Sequence, residues 1–171
     1  MLPRSVRLMA WVKMFKKIII ALGNSAESQL VLGSGLTLAE KLGAKVLLLH
    51  VMSPLTSTSF SPLVGGMFPV VNDVAIEQYV EEWKESERQG LDQLQADAAQ
   101  AKEQGIDVEI SQNLGNSGRM ICEVAKSWSA DTIVMGRNQK SILSEIWLGS
   151  TSNYVLHHAP CTTLVIQLSA L

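Results

Sequence analysis

The chain has 171 residues, 47% of them hydrophobic and 18% charged, with a formal net charge of −2. That is enough apolar material for one packed core and too much for a disordered chain. The slightly acidic balance, with no long basic run, argues against a general nucleic-acid binder.

Residues 1–13 (MLPRSVRLMAWVK) are basic and partly apolar. Arg4 and Arg7 interrupt any signal-peptide core, and the stretch is too short to span a membrane. It is expected to be an N-terminal extension ahead of a single domain over 14–171. Residues 17–22 (KIIIAL) form an apolar run that predicts a strand buried on both faces. In GNSAES, Asn24 or Ser25 can cap the next helix, with Leu32, Leu36, Ala39 and Leu42 as its apolar stripe and Gly43 as its stop. A second buried strand follows over 45–51 (KVLLLHV).

A long loop over 52–73, rich in Ser, Pro and Gly, has the length of a functional segment. A helix over 74–104 should bury Ile76, Val80, Trp83, Leu91, Leu94, Ala98 and Ala101, with a solvated acidic face opposite. Residues 107–114 alternate like an edge strand. Residues 117–128 predict a helix with Ile121, Val124, Ala125 and Trp128 inward. A short strand is expected over 132–135, a helix over 150–158 ended by Pro160, and a last strand over 162–167 (TTLVIQ). The β-α alternation calls for an α/β fold, an open parallel sheet with helices on both faces. Ligands of such sheets sit at the carboxyl ends of strands where the strand order reverses.

Gly149-Ser150-Thr151-Ser152 opens a helix, and its exposed N–H groups and hydroxyls make either an anion pocket or an ordinary N-cap. Arg137 and Lys140 add positive charge nearby. The spacing Gly136-x2-Gln139-x9-Gly149-Ser150 follows directly on an apolar strand. It resembles the Gly-x2-Gly-x9-Gly-Ser/Thr signature of the universal stress protein family. KIIIALGNS, LLLHV and LGSTSNYVLHHAPCTTLVI are similar, in order, to that family's opening, second and closing segments.

The resemblance implies a five-stranded parallel sheet in the order 3-2-1-4-5, Rossmann-like and akin to the adenine nucleotide alpha-hydrolase fold. It also implies a homodimer paired through the last strand, 162–167. ATP or AMP, with Mg as an accompanying ion, would be the ligand. Ala21 and Val51 would border adenine, and Gly23 and Asn24 would follow the first strand into the site. Met135 and Gly136 would line ribose and phosphate. Arg137, Asn138, Gln139, Gly149, Ser150 and Thr151 would surround the phosphates.

Two positions depart from the family pattern. Gly23 stands where binding members carry an Asp, forfeiting a charge-assisted hydrogen bond worth about 1.5–3 kcal/mol. Gln139 replaces the second signature glycine, which costs about 1–2 kcal/mol if that position needs a positive φ.

Other signals carry less. There is no P-loop, and Leu32-Gly33-Ser34-Gly35 lies in a helical pattern, where its glycines serve packing. His157 and His158 suit a helix C-terminus, and His50 suits a satisfied core or rim position. Trp83, Trp128 and Trp147 are expected in the core or an interface. Cys122 and Cys161 lack metal-ligand spacing and read as reduced thiols in a cytoplasmic protein. The Ser-Gly-Gly and His-x-Gly-His signatures of related enzymes are absent, so at most weak ATP hydrolysis is expected. The leading function is a stress-response regulator that binds an adenine nucleotide; the alternative is a non-binding dimeric scaffold acting through protein partners.

Overall fold

A computed structural model describes residues 15–23, 28–53, 73–138 and 149–168. Its elements are β1 (Lys17–Leu22), α1 (Ser28–Leu42), β2 (Lys45–Met52), α2 (Asp73–Glu103), β3 (Val108–Leu114), α3 (Ser117–Trp128), β4 (Thr132–Asn138), α4 (Ser150–His158) and β5 (Thr162–Leu168). The five strands make one parallel sheet in the order β3-β2-β1-β4-β5.

The unbroken apolar runs follow from this placement. Successive side chains of a strand point to opposite faces, so a central strand must be apolar at every position. Ile18 and Ile20 pack with α1 and α2 on one face, while Ile19 packs with α3 and α4 on the other; all three are fully buried. Asp131 fixes the amino end of β1 beside β4, its Oδ2 accepting from the backbone N–H of Lys16 at 2.6 Å and Lys17 at 3.0 Å. The Lys17 ammonium donates to the Trp128 carbonyl and lies 4.4 Å from the Trp128 ring centroid.

Helix α1 lies tight on β1. A Cβ on Gly35 would stand 2.5 Å from Ile20 Cδ1, so only glycine permits this approach. The stripe of Leu32, Leu36 and Ala39 is buried as expected, joined by Val31, and Gly43 ends the helix at φ +57°. Its expected cap, Asn24 or Ser25, lies outside the described residues, as do the extension 1–13 and most of the 52–73 loop.

Two expectations need correction. Val80 and Leu91 were assigned to the buried stripe of α2, yet each is 40% exposed, and Trp83 is only half-buried. The reason is length. A helix of 31 residues spans about 46 Å, whereas the eight residues of β2 span about 26 Å. Only the carboxyl-terminal part of α2, with Leu94, Ala98 and Ala101, has sheet beneath it. The second correction concerns β4, which continues three residues past Met135. Gly136, Arg137 and Asn138 pair with Ile166, Gln167 and Leu168 of β5, so part of the glycine signature is strand.

Candidate functional site

The strand order reverses between β1 and β4. The chain leaves β1 into α1 on one face and reaches β4 from α3 on the other, which opens a crevice at their carboxyl ends. Ala21, Leu49 and Met135 stand in register across the three central strands and form its floor. The cavity above them holds about 240 Å³; Val51, Gly136 and Thr151 complete its lining together with Gly23, and Ser117 and Ile121 of α3 supply a wall.

The structure thus brings together Ala21, Gly23, Val51, Met135, Gly136 and Thr151 of the expected residues. Gly149 and Ser150 are exposed at the head of α4, next to Thr151. Arg137 and the backbone of Asn138 lie further along β4 without lining the cavity. Asn24 and Gln139 lie outside the described residues, as do Lys140 and Trp147. Ser117, Ile121 and Ser28 were missed, because a serine at a helix start reads as a cap and an isoleucine on a helix reads as core.

Local chemistry shapes the rim. Ser28 Oγ accepts from the Gly23 N–H at 3.1 Å and donates to the Gly23 carbonyl at 2.8 Å, tying the first turn of α1 to the end of β1. An added Cβ at Gly23 would meet only this oxygen, at 3.6 Å, so the backbone has room for a side chain there. At α4 the N-cap is Gly149, which has no side chain to bond the free N–H groups of the first turn. Its φ is −54° and an added Cβ would find only Ser152 Oγ at 3.9 Å. The described residues therefore do not require glycine at 149, and its lack of a side chain leaves the helix start open to close approach. Arg137 Nε is buried without a hydrogen-bond partner among the described residues, a donor suited to an anion. The cleft thus offers an apolar floor for a flat group and, toward α4, a helix start suited to an anion.

The side chains set aside in the sequence separate cleanly. His158 Nδ1 lies 2.8 Å from the Tyr154 carbonyl and its ring stacks on Tyr154 at 4.1 Å, as suits a helix end. Burial pushes the thiols of both Cys122 and Cys161 above the ordinary range, so neither is a ready thiolate. His50 departs from expectation: it is buried, but its Nδ1 finds no hydrogen-bond partner. No group of three or more metal-ligating side chains, and no helix long and apolar enough to cross a membrane, occurs among the described residues.

An open parallel sheet wound on both faces, with a cleft at its switch point, defines a Rossmann-like α/β domain. The chain belongs to the universal stress protein family, whose family model matches residues 14–167. It is 32% identical over 155 residues to the universal stress protein Sll1388 of Synechocystis sp., covering 90% of this chain and 98% of that one. Among solved structures it is similar to a universal stress protein family protein of Arabidopsis thaliana with AMP bound, at 17% identity and a TM-score of 0.61, covering 91% of this chain and 93% of that one. It is also similar to a universal stress protein in complex with cAMP, at 17% identity and a TM-score of 0.59, covering 90% and 97%. At these identities the structural likenesses establish the fold.

Proposed function

We propose that this chain is a cytoplasmic stress-response regulator that binds an adenine nucleotide, ATP or AMP, in the switch-point cleft and carries out no dedicated catalysis. The observation that carries the reading is the cleft itself: an apolar floor for a base beside a helix start that its own cap residue, Gly149, leaves open. The AMP and cAMP bound by two proteins of the same fold support the ligand class. Mg would accompany ATP through its phosphates. Gly23 favours the second reading, a dimeric scaffold acting through partners, because it leaves the rim without the family's carboxylate.

Calorimetric titration of the nucleotide-stripped protein with Mg-ATP and then AMP tests the proposal. Saturable one-site binding is expected, and Gly23→Asp with Gln139→Gly should tighten it about ten- to hundredfold. No heat, together with no thermal shift, leaves the scaffold. Equal affinity in the double variant refutes the roles given to positions 23 and 139.

A further inference from the structure

On the opposite face of the sheet, α1 and α2 enclose a second cavity of about 380 Å³ above the carboxyl end of β2. It lies within the size range of small-molecule sites. Among the described residues its lining contains Asp97 and His50 and no lysine or arginine.

Asp97 stands between Leu94 and Ala101 on the inward stripe of α2 and is only 4% exposed. A buried carboxylate ordinarily has a cationic partner. Among the described residues Asp97 has none. It accepts only from two side-chain amides, Gln93 Nε2 at 2.8 Å and Gln29 Nε2 at 3.3 Å, both at Oδ1. Because each amide turns its N–H toward Asp97, its carbonyl oxygen is left to accept from elsewhere. The remaining polar capacity of this cluster is therefore acceptor capacity, with a negative charge at its centre.

His50 adds no compensating charge. Its ring is buried against Gly90, where an added Cβ would stand 2.8 Å from Nδ1 and 2.9 Å from Gln112 Oε1. Those two atoms are themselves buried and unpartnered. This wall is thus polar, neutral and held rigidly by close helix packing.

We propose that the α1–α2 cavity is a binding site for a small organic cation carrying a primary ammonium or guanidinium head, which Asp97 receives as counter-charge with the Gln29 and Gln93 carbonyls as further acceptors. A positive head group supplies the partner that the carboxylate lacks, and several N–H donors match several acceptors. The site is independent of the nucleotide cleft, which lies on the other face of β1 and β2 and shares only the rim at Leu22, Gly23 and Ser28.

The test uses nucleotide-stripped protein titrated with butane-1,4-diamine and with butylguanidinium, followed by calorimetry and by amide NMR shifts. Butyrate serves as the anionic control. One-site saturable binding is expected for either cation and none for butyrate, with shifts centred on Gly90, Gln93 and Asp97. Asp97→Asn should weaken binding about tenfold or more, while Asp92→Asn, on the exposed side of the same helix, should leave it unchanged. If Asp97→Asn fails to fold by circular dichroism, Ser86→Trp decides, since it fills the mouth from an exposed position and should abolish binding. Absence of saturable binding by both cations overturns the proposal, as does undiminished binding by the deciding variant.

Discussion

Gly33 and Gly35 stand two residues apart in α1, and different forces act on them. A Cβ at Gly33 would meet nothing within 4 Å, whereas one at Gly35 would overlap Ile20. Gly33→Ala should stabilise the protein by about 0.5–1 kcal/mol, because alanine loses less backbone freedom in a helix. Gly35→Ala should destabilise it by about 1–3 kcal/mol through overpacking. Urea unfolding of the two variants checks both signs at once. His50 gives a prediction in pH. Burial lowers its pKa from the ordinary 6.5, with Gln112 partly opposing. The unfolded chain thus takes up the proton first as pH falls. The contribution of neutral His50 is complete above 6.5 and is lost from there down to the lowered native value, so stability should decline on acidification through that window. Urea midpoints measured from about pH 8 to pH 5 should show a shallower decline in His50→Gln.

At the scale of the element, α2 shows what a sequence pattern does and does not specify. Helical spacing identifies which side chains share a stripe; it carries no statement about how far the sheet beneath them extends. Val80 and Leu94 belong to the same periodic pattern and meet opposite surroundings. Leu94→Ala should cost about 2–5 kcal/mol and Val80→Ala less than about 0.5 kcal/mol, measured by the same unfolding curves. The overhanging part is supported locally, by Lys84 with Glu81 and by Arg88 with both Glu85 and Asp92. Such exposed pairs contribute little, because solvent and salt screen them. Amide hydrogen exchange should therefore be fast before Gly90 and slow after Leu94; uniform protection along α2 would contradict this account.

Across the whole molecule, the strand sequence was legible because each central strand is buried on both faces and must be apolar throughout. The cleft was legible where it is made of strand ends, as at Ala21, Val51, Met135 and Gly136. It was not legible where helices close it, because Ser28, Ser117 and Ile121 already have sufficient local reasons to be there. Asp97 was hidden for another cause: Leu94, Ala98 and Ala101 turn its face inward, but an aspartate is ordinarily solvated and its residue type gives no sign of burial. The edge strand β5 leaves Leu164 39% exposed on a side where, among the described residues, no further strand pairs. A homodimer through this edge is the proposed assembly. Leu164→Lys should shift it toward monomer in sedimentation experiments, and an unchanged mass would remove β5 from the interface.

The overhang of α2 has a mechanical consequence. From Asp73 to Ser86 the helix runs about 21 Å beyond its last described seat on the sheet, where the Gln112 amide donates to the Glu87 carbonyl and Gly90 meets His50. A rigid rod of that length multiplies angle into distance. A tilt of about 5° at Gly90 carries the far tip about 2 Å, while the atoms at the pivot barely move. Side chains beside His50 therefore act on the short arm of a long lever.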